Sequence, residues 1–278
     1  MTNVLYLLNI ACSAGQNTLG KYCSAQGGQA NVFNFNKAIA GVLAFGIAAL
    51  IGGFSWHLPT VLCGTGYGIS LCLSTHMGFK AFAYGPMSLT SVIASFSLLI
   101  PLFFGICCWK ESLTAFGIVG ILMLLCSILL IRGKSDGTIS FRWLLYATAT
   151  LLANGICSII QKYHQLQFPS QYGTEFMLFA WLCVALMLLL APIAARSDSL
   201  PFQPNPAGLA AGALNGAANY IVLRLAATEN ASVLFPIVSA TNILASWLIG
   251  IVLFKEKLTV LQTIGLLLGI ASIVLLKL

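Results

Sequence analysis

Residues 109–114 read Trp-Lys-Glu-Ser-Leu-Thr, and residues 254–259 read Phe-Lys-Glu-Lys-Leu-Thr. The Lys, Glu, Leu and Thr positions match at an offset of 145 residues, so that Glu111 corresponds to Glu256. Each hexapeptide closes one apolar segment and is followed by a final apolar segment. A second pair, Gly-Lys-Tyr at 20–22 and Gln-Lys-Tyr at 161–163, recurs at an offset of 141. These matches indicate that the chain is built from two related halves.

The composition around these motifs is that of a membrane protein. Hydrophobic residues make up 59% of the chain and charged residues 7%, and the mean hydropathy is +0.96. Soluble domains carry about 25% charged residues, which they need to cover their surface. A lipid-spanning helix needs roughly 20 apolar residues, because it must satisfy its own backbone in the absence of water. The sequence therefore predicts an all-α integral membrane protein.

Ten apolar segments can be marked, and they fall into two sets of five. They lie near 3–23, 32–54, 59–79, 86–108, 113–131, 142–162, 173–195, 207–226, 231–253 and 259–277. An odd number of crossings in the first half makes the second half enter the membrane from the opposite side. We therefore expect ten transmembrane helices as two inverted five-helix repeats, at 1–131 and 142–278, with a polar linker at 132–141. Inverted repeats are common in secondary transporters, whose substrates bind near the midplane between the halves.

The five-plus-five pattern, the two Lys-Glu-x-Leu-Thr motifs and Lys37 within the second segment resemble the EamA-type transporters of the drug/metabolite transporter (DMT) superfamily. The resemblance covers essentially the whole chain. It implies a carrier fold with a central cavity, lined mainly by helices 1, 3, 4, 6, 8 and 9. It also implies transport of small molecules, among which the family moves amino acids, sugars, nucleotide-linked metabolites, bases and drugs.

Polar residues at helical spacing are the candidates for substrate binding. Residues three or four positions apart share a helix face, and polar side chains inside a membrane usually face protein or water. The predicted substrate-binding residues are Asn17, His76, Asn154, Gln161, Asn215 and Asn219. Hydrogen bonds between helices are the alternative role for the same side chains. For His76, carrying a coupling proton is a further alternative.

The basic residues form repeat-related pairs, Lys21 with Lys162 and Lys80 with Arg224. Inverted topology places one cation of each pair near each membrane face, where they could attract an anion or act in gating. Snorkelling to the lipid headgroups is the alternative. The apolar segments contain almost no acidic residues, so we expect a substrate with a carboxylate or phosphate, such as an amino acid or organic acid. An exporter of hydrophobic drugs or cations is the alternative function.

Other classes of protein find little support in the sequence. It has no H-E-x-x-H, no G-x-S-x-G and no aspartate-rich cluster, so an intramembrane enzyme is not expected. A channel would need a selectivity filter or charged ring, and none is evident. The nine cysteines include no C-x-x-C pair, and no metal or cofactor is expected. The net charge of +7 is spread along the chain, which does not indicate nucleic-acid binding.

The expected setting is the lipid bilayer, with the protein as a multi-pass component of the plasma (inner) membrane. The expected partners are a small-molecule substrate and a coupling proton or ion, and the expected state is a monomer or weak homodimer. Basic residues in loops 5, 7 and 9 outnumber those on the terminal side by six to two, which favours cytoplasmic placement of those loops. The family resemblance implies cytoplasmic termini instead, so the orientation stays open.

Overall fold

The computed structural model describes residues 2–25, 29–84, 90, 93–112, 114–131, 140–194, 202–254 and 259–276. The description is limited to the backbone for a few helical stretches, among them 243–254. Most of the predicted linker at 132–141 and most of the second Lys-Glu-x-Leu-Thr motif, including Glu256, lie outside the described residues.

The described part of the chain is all helical and contains no strand, which confirms the predicted α-helical class. In the part of the chain that the structure describes, ten α-helices follow the ten predicted segments, and a short 3-10 turn at Phe96–Leu98 leads into the fourth. Their bounds are α1 Thr2–Ala25, α2 Ala30–Gly52, α3 Leu58–Tyr84, α4 Leu99–Cys108, α5 Ala115–Ile131, α6 Phe141–Gln167, α7 Gly173–Ala194, α8 Pro206–Leu225, α9 Ala231–Phe254 and α10 Val260–Leu276.

Three stretches among the described residues are long and apolar enough to cross a bilayer on their own. They are Ala30–Gly52, Phe141–Gln167 and Gly173–Leu190. Four shorter stretches, of 10 to 17 residues, are also apolar. Many large apolar side chains on these helices are exposed, including Leu50 and Ile51. Water would not tolerate so much exposed apolar surface, whereas lipid tails would.

The threonines of the two Lys-Glu-x-Leu-Thr motifs have the same local role. Thr114 Oγ1 accepts a hydrogen bond from Gly117 N at 3.0 Å, at the start of α5. Thr259 Oγ1 accepts from Gln262 N at 3.4 Å, and Gln262 Oε1 accepts from Thr259 N at 2.9 Å, at the start of α10. Such caps satisfy N–H groups that have no partner within the helix. Each motif therefore starts the last helix of its half.

The helices form two compact units, and each unit takes helices from both predicted repeats. Unit 1 comprises residues 1–72 and 160–227, and unit 2 comprises residues 73–159 and 228–278. Two of the three boundaries between the units fall inside α3 and α6, and the third falls between α8 and α9. A repeat describes internal symmetry rather than compactness, so the predicted repeats at 1–131 and 142–278 stay a prediction.

Helices in unit 1 approach one another closely at glycines. A Cβ atom on Gly64 would lie 2.6 Å from Phe176 O, and one on Gly68 would lie 2.5 Å from Ala180 O. We call Gly64 and Gly68 the glycine seam, since they put the backbone of α3 directly against α7. On α8, Gly212 packs in the same way against the Lys37 carbonyl of α2. Small residues allow this close packing in membranes, where lipid is as apolar as leucine.

In unit 2, the last helices of the two predicted halves pack together. Ser127 Oγ on α5 donates to Gly265 O on α10 at 2.6 Å. In the same pair of helices, a Cβ atom added to Gly120 on α5 would lie 3.1 Å from Ser272 O on α10. The Gly-x-x-x-Gly motif at 265–269 is therefore used in packing α10 against α5, and Gly265 and Gly269 are buried.

Candidate functional site

A hydrogen-bonded cluster in unit 1 joins three of the predicted binding residues. Tyr67 OH on α3 donates to Asn219 Oδ1 on α8 at 2.8 Å. Asn219 Nδ2 donates to Asn215 O at 2.9 Å and to Asn215 Oδ1 at 3.2 Å. Gln161 Nε2 on α6 lies 3.5 Å from Asn219 O, at the limit of a hydrogen bond. We call these four residues the amide cluster.

Within the amide cluster some polar atoms are held by hydrogen bonds and others are not. Tyr67 and Gln161 are each 3% exposed, so their positions are fixed by packing. The Asn219 carboxamide uses its oxygen and its nitrogen within the cluster. The side-chain nitrogen of Asn215 and the side-chain oxygen of Gln161 have no hydrogen bond to a described residue. One donor group and one acceptor group are thus presented on a rigid frame.

Two more predicted residues, Asn154 and His76, lie in unit 2. Asn154 Oδ1 on α6 accepts a hydrogen bond from Ser74 Oγ on α3 at 2.7 Å, and Ser158 Oγ donates to the Asn154 carbonyl at 3.3 Å. His76 is exposed on α3. Asn154 therefore takes part in a contact between helices, and its side-chain nitrogen remains a donor.

The predicted cations have different surroundings. Lys162 is 4% exposed, and its Nζ donates to Ala226 O at 3.1 Å, at the end of α8. A lysine there satisfies a terminal carbonyl and favours the negative end of the helix dipole. Arg224 is exposed, with Nη1 3.4 Å from Ser170 O. Lys80 is exposed, with Nζ 5.6 Å from the centre of the Tyr146 ring.

The remaining predicted residues lie on α1. Asn17 is exposed in unit 1 and has contacts of its own. Lys21 lies in the last part of α1, and its side chain is outside the described residues. The structure therefore brings together Gln161, Asn215 and Asn219 in unit 1 and joins Asn154 to Ser74 in unit 2. The binding role of all these residues stays a prediction.

Tyr67 is the member of the cluster that sequence reasoning missed. Tyr67, Ser70 and Ser74 lie at i, i+3 and i+7, which places them on one face of α3. His76 and Lys80, which the sequence offered as candidates, lie with Cys72 at i, i+4 and i+8 on the opposite face. Tyr67 and Ser74 are buried, whereas His76 and Lys80 are exposed. The spacing of the serines was the signal for the buried polar face, but a tyrosine counts as apolar in a hydropathy reading.

The second half of the chain is similar in sequence to a known protein family. Residues 141–278 match the sequence model described as the EamA-like transporter family. The chain belongs to this family. The family is part of the drug/metabolite transporter superfamily, so the resemblance first noted on the Lys-Glu-x-Leu-Thr motifs is confirmed. The EamA-like chain is therefore an integral membrane protein of a transporter family.

A solved structure resembles the fold of this EamA-like chain over nearly its whole length. Among 29 matching chains, one has a TM-score of 0.77 and covers 99% of this chain and 98% of its own. It is 17% identical in sequence, and its title, "Crystal structure of protein", names no function. This likeness shows a shared fold. No curated protein matches the sequence. Family membership implies a small-molecule substrate and membrane lipid as partners, and transport rather than enzymatic activity.

Proposed function

We propose that this EamA-like chain is a secondary carrier that works by alternating access. Its substrate is a small polar metabolite with a carboxylate or phosphate group, such as an amino acid or organic acid. The chain acts in the plasma (inner) membrane as a monomer or weak homodimer, with a proton or another ion coupled to transport. The amide cluster is the observation that carries the proposal, because it presents a fixed donor, Asn215 Nδ2, within an apolar helical protein.

The charges of the chain favour an anionic ligand. Of its six acidic residues, Glu111 already binds backbone N–H groups at the start of α9, and Glu175 accepts from Ser55 N at the start of α7. Glu175 is the one acidic residue inside the ten apolar segments, and because it is already hydrogen-bonded it would offset little of the lost hydration of a cationic drug. Lys80 and Arg224 are exposed cations that attract an anion, while Lys162 contributes mainly by holding α8.

The ten spans as two inverted repeats are part of the same proposal. The motif copies support it, because Thr114 and Thr259 each cap the last helix of a half. In such a carrier, equivalent elements of the two repeats would open the site to opposite sides of the membrane.

Counterflow in proteoliposomes tests the proposal. Purified protein is reconstituted with an unlabelled amino or organic acid inside, and uptake of the same labelled compound is followed. A carrier accumulates label transiently and saturates, whereas a channel does neither. Uptake of a carboxylate, with no uptake of its uncharged amide analogue, is the expected result. Preference for a permanent cation would contradict the substrate class.

Variants of the amide cluster connect the assay to the site. Asn215→Asp replaces a donor by a carboxylate of the same shape, so it should repel an anionic substrate and raise its KM at least tenfold. Asn215→Ser keeps a smaller donor and should weaken binding less. Phe103→Leu, at an exposed apolar position on α4, is a control for surface changes. If Asn215→Asp were as active as the wild type, the amide cluster would not be part of the binding site.

A further inference from the structure

The two histidines that the proposed substrate site does not use are linked to each other in unit 1. His57 Nδ1 lies 2.9 Å from Thr60 Oγ1, and Thr60 Oγ1 lies 2.9 Å from His164 Nε2. His164 and Thr60 have no exposed surface, whereas His57 is only partly buried. The chain has only three histidines. The Thr60 hydroxyl joins His57, at the start of α3, to His164, near the end of α6 and 107 residues further along the chain.

A neighbouring amide fixes which atoms in this chain donate. Ser170 N donates to Gln165 Oε1 at 3.0 Å, so the other end of that amide is its nitrogen. Gln165 Nε2 lies 3.0 Å from His164 Nδ1, and an amide nitrogen can only donate. His164 Nδ1 must therefore be the acceptor, and the proton of neutral His164 sits on Nε2. His164 Nε2–H then donates to Thr60 Oγ1.

The direction of the remaining hydrogen bond follows from the hydroxyl. Thr60 has one proton to donate, and its partners in the described part of the chain are the two histidine rings. Thr60 has no exposed surface, so its hydroxyl proton finds a partner among the described residues only by donating to His57 Nδ1. Neutral His57 then carries its own proton on Nε2. With both rings neutral, all four hydrogen bonds run in one direction, from Ser170 to His57. We call this chain of residues the histidine relay.

A proton added to the relay conflicts with its hydrogen bonds. On His57 Nδ1 it would face the Thr60 hydroxyl proton, so that hydroxyl would have to turn away from the ring. On His164 Nδ1 it would face the Gln165 nitrogen, and turning that amide would break its bond with Ser170. His57 is the partly exposed ring of the two, whereas His164 has no exposed surface. The first proton from water therefore binds to His57.

Protonation would act on a specific junction of unit 1. The His57 ring stacks on Tyr172, with centroids 4.4 Å apart and planes 8° apart, and meets Phe168 edge-on at 4.5 Å. Phe168 and Tyr172 belong to the segment between α6 and α7, in which Ser170 and Tyr172 have positive φ angles of 58° and 52°. The histidine relay thus holds the start of α3 to this segment.

We propose that the histidine relay is a proton-binding site that releases this junction when His57 is protonated. In the carrier proposed above it would supply the site of the coupling proton, and that part rests on the proposed function. Among the charged and titratable groups on the packed elements are Cys63 and Tyr67 on α3, Lys162 and Tyr163 on α6, Tyr172 in the segment, Glu175 on α7 and Arg224 on α8.

NMR of the full chain in lipid nanodiscs, with 15N-labelled histidine, tests the relay without any substrate. His57→Gln and His164→Gln assign the ring signals. At pH 8 we expect both rings to carry the proton on Nε2. On lowering the pH to 5, His57 should become an imidazolium, and the Nε2–H signal of His164 should shift at the same midpoint. A proton on His164 Nδ1 at pH 8 would overturn the proposal.

Thr60 variants separate the relay from simple proximity of the two rings. Thr60→Val removes the hydroxyl at nearly constant volume, so the His164 signal should no longer follow the titration of His57. Thr60→Ser keeps the hydroxyl and should retain the coupled shift. Coupling of equal size in Thr60→Val would refute the relay. If Thr60→Val does not fold, the wild-type ring assignments and the Thr60→Ser titration decide the matter.

Hydrogen exchange measures release of the junction. After correction for the intrinsic effect of pH, amides at 168–172 should exchange about tenfold faster at pH 5.5 than at pH 8, since protonation removes at least one hydrogen bond. His57→Gln should remove this difference, and amides of α5 in unit 2 serve as an internal reference. An unchanged rate at 168–172 would refute release. If the relay titrates as expected but the chain moves no carboxylate, the proposed function is wrong and the histidine relay still stands.

Discussion

Glu111 makes the sharpest stability prediction, because its carboxylate binds the start of a helix far along the chain. Its Oε1 accepts from Ala231 N at 2.8 Å and its Oε2 from Ser232 N at 2.9 Å. Both N–H groups belong to the first turn of α9, where no intrahelical partner exists. Lys110, with φ of 54°, turns the chain so that Glu111 N bonds back to Gly105 O at 3.1 Å.

The expected cost of removing this carboxylate follows from these contacts. Loss of a helix cap costs about 0.5–2 kcal/mol, and a hydrogen bond to a charged group contributes a net of about 1.5–3 kcal/mol. Glu111 is partly exposed, so the lower end of these ranges applies. Glu111→Ala should therefore lower the free energy of unfolding by about 2 kcal/mol. Glu111→Gln keeps one acceptor and should lose about half as much.

Unfolding in detergent, followed by tryptophan fluorescence, measures these differences. Lys110→Gln is the matched control, because it removes a charge from the same turn without touching the cap. Gly105→Ala gives an independent test, since a Cβ there would lie 2.6 Å from Glu111 Oε2 and would displace the carboxylate. If Glu111→Ala and Lys110→Gln had the same free energy of unfolding, the two hydrogen bonds of Glu111 would contribute nothing to stability.

Three further predictions concern other positions. Lys110→Gly should raise the unfolding free energy by about 0.5–1 kcal/mol in the same assay, because glycine adopts a positive φ without strain. Tyr67→Phe leaves Asn219 Oδ1 without its donor and should lower the free energy of unfolding by about 1–3 kcal/mol. It should also raise the KM of the preferred carboxylate in counterflow. An unchanged KM would mean that the amide cluster does not contact the substrate. Gly68→Ala should destabilise by about 1–3 kcal/mol, since its Cβ would meet Ala180 O at 2.5 Å, and full stability would mean that α3 and α7 separate easily.

The number and order of the helices could be predicted from the sequence, because apolar runs long enough for a bilayer have few other structures open to them. The ends were less predictable. The sixth segment was expected to end near 162, but α6 continues to Gln167. The added residues His164 and Gln165 are polar, and they stay helical and buried because Thr60 and Ser170 satisfy them. Hydropathy carries no information on such partners.

The candidate site was predictable only where its residues share a helix. The spacing of Asn215 and Asn219 placed them on one face, and their side chains do meet. The partner of Asn219 on another helix, Tyr67, could not be found in this way, because a single sequence does not show which helices are neighbours. For the same reason the pairing of His57 with His164 had no signal in the sequence.

The glycine seam has a consequence for the order of events during synthesis. Gly64 packs against Phe176, so α3 cannot gain this contact until a further 112 residues have been made. At about 5–20 residues per second, that interval is roughly 6 to 22 s. During this time the glycine face of the third helix meets lipid, and any other helix with small residues can occupy it. Slower translation between codons 64 and 176 should therefore lower the yield of assembled protein. The yield of a Gly64→Leu chain, which cannot form the contact, should not depend on the translation rate.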